Sequence, residues 1–166
     1  MELFWWFLME HPESNLIRKE WIVRQMDLPP EVKLTRRSLL RWFALSTGLI
    51  SPKESRSTIL SVLDGLFILL LSKKQNPTTL ELQAFLKEKN NVLISEKLLL
   101  YHLKRLIDLN LIVRKRKRYS LNPAPDSAGG DFTATFNHWM SKQLHKTLQE
   151  LELVSTHLAE NYQNLK

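Results

Sequence analysis

The chain has 166 residues, of which 43% are hydrophobic, and this proportion is typical of a globular protein. It contains no cysteine, which excludes disulfides, thiolate metal ligands and a cysteine nucleophile, and which is compatible with the cytoplasmic location that we expect. Its longest apolar stretch, residues 59–71, is too short to span a membrane and is interrupted by Asp64. The net charge of +7 is concentrated in residues 51–122, where 14 Lys or Arg face 6 Asp or Glu, and this concentration favours a polyanionic partner.

Capping residues, prolines and apolar periodicity predict three helices in the first 72 residues. They span about residues 15–27, residues 35–47 and residues 51–72. The last of these opens with Ser51-Pro52-Lys53-Glu54, which has the form of a capping box with proline at the first helical position. We therefore expect an N-terminal helical extension, residues 1–50, followed by a long buried helix.

The middle third of the chain continues with two shorter helices and two strands. A second capping box, Thr78-Thr79-Leu80-Glu81, predicts a helix to about residue 89, and Ser95 caps a further helix over about residues 95–109. The segments 111–113 and 118–121 predict two short strands around a basic turn.

The segment from Ile94 to Ile112 resembles the recognition helix and exit of winged helix-turn-helix regulators. Their shared pattern has the form S-x-x-x-V-x-x-H-L-x-x-L-x-x-x-G-L-I, and here Asn110 replaces the usual glycine, a residue type that also tolerates a left-handed backbone. The matching positions are Ser95, Leu99, His102, Leu103, Leu106, Leu111 and Ile112. The resemblance implies a mainly α fold with a small β-hairpin, in which residues 51–122 form a winged helix-turn-helix domain that binds double-stranded DNA.

The apolar spacing of the predicted recognition helix buries its leucines and turns a polar face outward, whose N-terminal part enters the major groove in helix-turn-helix proteins. The candidate DNA contacts on this helix are Ser95, Lys97, Tyr101, Lys104 and Arg105. At the hairpin tip the candidates form a basic run that would neutralise phosphates, namely Arg114, Lys115, Arg116, Lys117 and Arg118. The alternatives are a merely solvated basic face, a surface role for Tyr101 and a packing role for His102.

The C-terminal third predicts a linker, residues 123–130, and a long helix over residues 131–166. The apolar stripe of this helix outreaches a domain of about 70 residues and needs another surface. MarR-type and PadR-type regulators, which this arrangement resembles, build dimers from such terminal helices. We expect a homodimer, or else a helix that folds back on its own chain, and the interface residues would be Phe136, Met140, Leu144, Leu148, Leu151 and Leu158.

The leading hypothesis is a sequence-specific, double-stranded DNA-binding transcriptional regulator that acts as a homodimer. The alternative is a winged-helix subunit of a larger transcription, replication or chromosome-organising assembly, in which the aromatic residues 1–10 dock to a protein partner. RNA binding ranks third, since no aromatic RNA-stacking motif is present. The sequence contains no catalytic constellation, phosphate loop or convincing metal-ligand spacing, so we expect no enzymatic activity, no cofactor and no bound metal.

Overall fold

The computed structural model describes residues 16–54, 58–127 and 129–165. The elements in chain order are α1 (Arg36–Ser46), α2 (Thr58–Phe67), α3 (Thr79–Asn90), α4 (Glu96–Asp108), β1 (Ile112–Lys115), β2 (Arg118–Leu121), α5 (Phe132–Phe136) and α6 (Lys142–Gln163). A 3-10 turn, Pro30–Leu34, precedes α1, and π-helical turns at Ile68–Ser72 and Asn137–Ser141 follow α2 and join α5 to α6. The protein is therefore mainly helical with a small antiparallel hairpin, as predicted.

No helix in the described ranges is long and apolar enough to cross a membrane. The aromatic residues 1–10, for which a protein partner was considered, and residue 15 of the predicted first helix lie outside the described residues.

Local hydrogen bonds start α3 and α4 where the sequence predicted. At α3 the capping box is complete, because the Glu81 N–H donates to Thr78 Oγ1 at 3.2 Å and the Thr78 N–H donates to Glu81 Oε2 at 2.8 Å. At α4 the Leu98 N–H donates to Ser95 Oγ at 3.3 Å. Asn110 follows α4 with a φ of 59°, the left-handed conformation expected of the glycine that it replaces.

Residues 17–29 form no regular secondary structure, so the predicted helix over residues 15–27 is wrong for the part that is described. This segment instead supplies donors and acceptors to α1 and to the loop after it. The Arg24 N–H donates to Ser46 O at 2.9 Å, and its guanidinium donates to Ile50 O at 3.1 Å. Trp42 Nε1 of α1 donates to Asp27 O at 2.8 Å. Because the last carbonyls of a helix lack intrahelical donors, the contact of Arg24 with Ser46 O provides one of them with a partner and holds this irregular segment against α1.

The predicted helix start at Ser51 is also wrong, since residues 52–54 form turns and α2 begins, among the described residues, at Thr58. The Ser51 N–H donates to Glu54 Oε2 at 3.2 Å, and the Glu54 N–H donates to Ser51 O at 3.0 Å. Arg41 of α1 donates to Glu54 O at 3.1 Å. The side-chain contact of the capping box therefore forms on this turn, which α1 contacts through Arg41.

The helix α2 lies at the centre of one hydrophobic core, as its apolar residues on several faces predicted. Gly65 lets α3 approach closely, because a Cβ atom at this position would lie 2.6 Å from Leu86 Cδ2. Burying one leucine or isoleucine side chain contributes about 1.5–3 kcal/mol. The largest fully buried side chains are Ile50, Ile59, Leu63, Leu66, Leu82, Leu86, Leu99, Leu103, Leu106, Leu111, Ile112 and Tyr119.

The hairpin β1–β2 pairs in antiparallel register from Ile112 with Leu121 to Lys115 with Arg118. A third strand position, which the sequence did not predict, adds to its outer edge: Thr78 forms an antiparallel bridge with Arg118, and the Tyr119 N–H donates to Pro77 O at 2.8 Å. The residue that caps α3 is thus also fixed to β2, which ties the hairpin to the start of α3.

The first turns of the C-terminal helix pack on their own chain. Phe132 and Phe136 of α5 lie edge-on to Phe43 of α1, with ring centroids 5.8 and 5.9 Å apart. Met140 is buried in the same core, so its predicted place in a dimer interface is wrong, and Phe136 also has a partner within the chain. The wider π-helical turn at Asn137–Ser141 changes the phase of the helix, and beyond it no side chain of α6 is buried in the described part of the chain.

Candidate nucleic-acid interface

The helix α4 has one buried and one exposed face, as its apolar spacing predicted. Leu99, Leu103 and Leu106 enter the core, whereas Lys97 and Lys104 are exposed on the outer face. Tyr101 lies on the same helix and is 55% exposed. Lys97 and Tyr101 lie four residues apart, one turn above the other, so they form a compact polar patch near the N-terminus of the helix.

Ser95 keeps a donor available although it caps the helix. Its Oγ accepts the Leu98 N–H at 3.3 Å, which occupies one lone pair and leaves the hydroxyl hydrogen free to point outward. The residue is exposed at the first turn of α4. A cap and an anion contact are therefore compatible at this position, because the backbone N–H groups at a helix N-terminus also attract negative charge.

Arg105, in contrast, is already engaged within the chain. Its guanidinium donates to Gly48 O at 3.1 Å, in the loop after α1, and lies 5.8 Å from the centre of the Tyr101 ring. The side chain is half-buried. Arg105 therefore has a structural role, since it anchors α4 to the N-terminal part of the fold and lies beside the ring of Tyr101, and its predicted contact with DNA stays a prediction.

His102 is buried, which agrees with the packing role weighed for it. Neither ring nitrogen has a hydrogen-bond partner among the described residues. Burial lowers the pKa of His102, the neighbouring positive charge of Arg105 lowers it further, and Glu54 opposes both effects. The imidazole is therefore neutral near pH 7 and contributes to packing beneath the exposed face of α4.

The tip of the hairpin is a two-residue turn made of cations. Lys115 and Arg118 pair across the strands, and Arg116 and Lys117 between them have φ angles of 49° and 66°. Positive φ at both central residues is the mark of a type I′ turn, which Asn-Gly normally occupies. Lys115, Arg116 and Lys117 are all exposed. The turn therefore presents three adjacent positive charges on a tightly folded tip.

The two ends of the basic run differ from its middle. Arg118 donates to both carboxylate oxygens of Glu81, at 3.0 and 3.3 Å, and to Asn76 O at 2.8 Å. The pKa of Glu81 lies below its usual range, mainly because the Thr78 N–H donates to it and also because Arg118 is near. Arg118 thus pairs with Glu81 and anchors the hairpin, and its predicted contact with DNA stays a prediction. Arg114 stays exposed, with its guanidinium 5.5 Å from the centre of the Tyr119 ring.

The recognition-helix candidate and the hairpin are joined by short polar contacts that fix their relative position. The Leu111 N–H donates to Leu106 O at 3.1 Å, and Asn122 Nδ2, at the end of the hairpin, donates to Asn110 O at 3.1 Å. These contacts connect the C-terminal end of α4 to the base of the hairpin. The sequence did not predict Asn122, because nothing in a single polar residue after a strand marks it as a partner of a turn twelve residues earlier.

Searches for related proteins return nothing that bears on this site. No protein-family model, no curated protein and no solved structure matches the chain. Within the described ranges, no group of three His, Asp or Glu side chains is arranged to hold a metal ion. The arrangement of α4 and the hairpin is therefore the feature of the molecule that bears on its function.

Proposed function

We propose that residues 58–121 are a winged helix-turn-helix unit through which this protein, as a homodimeric transcriptional regulator, binds specific sites on double-stranded DNA. The element order supports this, because α2, the Thr78 edge position, α3, α4 and the hairpin follow one another as helix, strand, helix, recognition helix and wing do in that fold. In this proposal Lys97 and Tyr101 read base edges in the major groove from the first turns of α4.

The observation that carries the proposal is the left-handed turn at Arg116-Lys117. A residue with a Cβ atom in this conformation costs about 1–2 kcal/mol, and an Asn-Gly turn would remove most of that cost. Backbone strain of this kind persists where a function requires the side chains that cause it. Two cations at the point of a hairpin are suited to a closely spaced row of phosphates, because each neutralised phosphate releases a condensed counterion.

Fluorescence anisotropy with a labelled duplex at several salt concentrations tests the proposal. A variant with Lys115→Gln, Arg116→Gln and Lys117→Gln is expected to bind every duplex more weakly, and its slope of log K against log salt should flatten by up to ~2.7, or ~0.9 per lost phosphate contact. The matched control removes three exposed lysines outside the proposed interface, by Lys33→Gln, Lys87→Gln and Lys89→Gln. Equal slopes for the two triple variants would contradict a specific role for the hairpin.

A second candidate, a winged-helix subunit that works mainly through protein contacts, is favoured by one observation. Leu93, in the loop before α4, is 81% exposed beside the proposed DNA-binding face. Selection from a pool of random duplexes distinguishes the two candidates. A regulator enriches a sequence motif, whereas a subunit that depends on protein contacts enriches none, and in that case Leu93→Ser should leave the weak duplex binding unchanged.

A further inference from the structure

The exposed part of the C-terminal helix begins where the π-helical turn ends. Leu144 is half-buried, and the leucines that follow it on α6 lie open to solvent: Leu148, Leu151 and Leu158 are 48%, 59% and 52% exposed. The α6 helix is 22 residues long, and no side chain in it is buried in the described part of the chain. A helix of this length with an apolar stripe is stabilised by packing against something rather than by propensity alone.

The spacing of the stripe indicates the kind of partner. Its apolar members and Ser155 follow one another at alternating intervals of four and three residues, the spacing of the a and d positions of a heptad repeat. In heptad terms, Leu144, Leu151 and Leu158 occupy d positions. The a positions are Leu148, Ser155 and Tyr162. A stripe of a and d positions matches a second helix with the same pattern, because the two can pack along a common seam.

We propose that α6 pairs with α6 of a second copy of this chain as a parallel, in-register, two-stranded coiled coil over residues 144–162. The inference specifies the homodimer named in the proposed function, but it does not depend on DNA binding. The occupant of the exposed stripe is thus a second copy of this chain, since a seam with this repeat is self-complementary.

Parallel pairing places compatible side chains opposite one another. Each a or d residue meets its own copy, so Ser155 meets Ser155, and each hydroxyl is satisfied because it donates to Glu152 O of its own helix at 2.7 Å. At the seam's edges, position g of one helix meets position e of the other in the next heptad, which pairs Thr147 with Glu152 and Val154 with Ala159. No like charges face each other in this arrangement of the α6 residues.

Antiparallel pairing over the same stripe is less favourable because of charge. In that register a positions face d positions, and Ser155, whose hydroxyl donates to Glu152 O of its own helix at 2.7 Å, lies opposite Leu151. The e positions then face each other about the two-fold axis, and Glu152 meets its own copy, where two negative charges repel. This repulsion selects the parallel orientation.

The parallel orientation has a consequence for the rest of the molecule. The two-fold axis runs along the coiled coil, and both copies of residues 36–141 lie at its N-terminal end, so both α4 helices are presented at the same end of the dimer. A DNA site for such a dimer would be an inverted repeat, with one half-site for each α4.

Cysteine cross-linking tests the proposal without DNA, and the chain provides a clean background because it contains no cysteine. In a parallel, in-register coil, Ser155→Cys brings two thiols within the Cα separation of about 4.4–6.8 Å that a disulfide requires. Mild oxidation is then expected to convert most of the protein to a covalent dimer on a non-reducing gel. The matched control is Leu153→Cys at the exposed f position, which should stay monomeric on the gel.

A mixture of Leu148→Cys and Leu158→Cys chains reports the opposite orientation, because these positions meet across the seam only in the antiparallel register. Cross-linked heterodimers from that mixture, or equal cross-linking of the Ser155→Cys and Leu153→Cys proteins, would overturn the proposal. Sedimentation provides a second measurement: the wild-type protein at micromolar concentration should be a dimer, and Leu148→Glu with Leu158→Glu should be a monomer. A monomeric wild type would also overturn the proposal.

The same proteins separate this inference from the proposed function. Cross-linked Ser155→Cys protein that binds no duplex at any salt concentration would leave the coiled coil standing and contradict DNA binding. A wild-type monomer that binds duplex with the salt slope described above would contradict the coiled coil and leave DNA binding standing.

Discussion

Replacing Arg116-Lys117 with Asn-Gly, by Arg116→Asn and Lys117→Gly, should raise the stability of the protein while lowering its affinity for DNA. Both residues have positive φ, at a cost of about 1–2 kcal/mol each. Asn tolerates this conformation and Gly adopts it freely, although Gly loses about 0.5–1 kcal/mol more backbone entropy on folding. The free energy of unfolding should therefore rise by about 1 kcal/mol, which for a chain of this size is a Tm increase of roughly 2–4 °C.

The effect on DNA binding should have the opposite sign, because the substitution removes two exposed cations from the hairpin tip. Two lost phosphate contacts flatten the slope of log K against log salt by ~1.8. Between 50 and 200 mM salt, the affinity lost by the variant should then be roughly tenfold smaller than that lost by the wild type. Thermal denaturation measures the first effect, and anisotropy titrations of a labelled duplex measure the second.

A control variant separates the loss of charge from the change at the turn. Lys87→Gln with Lys89→Gln removes the same charge near the C-terminal end of α3, away from the hairpin, and is expected to leave the salt slope unchanged. A lower Tm for the Asn-Gly variant would refute the argument from strain at the turn. An unchanged salt slope would remove the hairpin tip from the interface.

Two further predictions concern α4. Lys97→Ala or Tyr101→Ala should reduce discrimination between a selected target and random DNA by about 1–3 kcal/mol, as competition titrations would measure, and full discrimination in both variants would contradict base reading by α4. The unfolded chain takes up a proton on His102 as pH falls below about 6.5, whereas burial lowers the pKa of the folded form, so stability present above that pH should be lost below it. Urea denaturation between pH 7.5 and 5 should show a smaller loss for His102→Leu than for the wild type, and parallel losses would contradict the assignment.

The parts of the fold that the sequence predicts well are those held by contacts between residues close in the chain. The capping box at Thr78 and Glu81 and the cap at Ser95 each join atoms three residues apart, and both helices start where these pairs predicted. The hairpin also follows from adjacent residues, since β1 and β2 are joined by a two-residue turn. Local patterns suffice there because the interactions that decide the structure are themselves local.

The errors lie where distant residues decide the conformation. The predicted helix over residues 15–27 has a proline stop, but residues 17–29 form no regular secondary structure, and Arg24 makes hydrogen bonds to the end of α1 and to Ile50, more than twenty residues away. The bridge between Thr78 and Arg118 involves one residue and leaves no periodicity to detect. Such contacts are set by tertiary packing, on which composition and spacing carry no information.

The apolar spacing of the C-terminal helix predicts that one face of the helix is covered. It does not predict whether the same chain or another molecule covers that face. Phe136 and Met140 share the helical spacing of Leu144 and Leu148, yet the first pair packs against its own chain and the second is left at least partly exposed. The π-helical turn at Asn137–Ser141 separates them by changing the phase of the helix. Nothing in the sequence of these five residues indicates a π-helical turn. The sequence therefore predicted one interface, whereas the structure has a surface packed on the chain's own core and a second surface that is exposed.

Arginines that make contacts within the chain reduce the number of cations available for the proposed DNA contact. Five arginines join separate parts of the described chain by hydrogen bonds or ion pairs: Arg24, Arg36, Arg41, Arg105 and Arg118. A guanidinium presents five donors in a fixed plane and bridges carbonyls and carboxylates, which an ammonium group does less well. The lysines of α4 and of the hairpin tip remain exposed. Of the five consecutive cations in the hairpin, Arg118 pairs with Glu81, and we expect the salt dependence of the proposed DNA binding to report at most four contacts from this run.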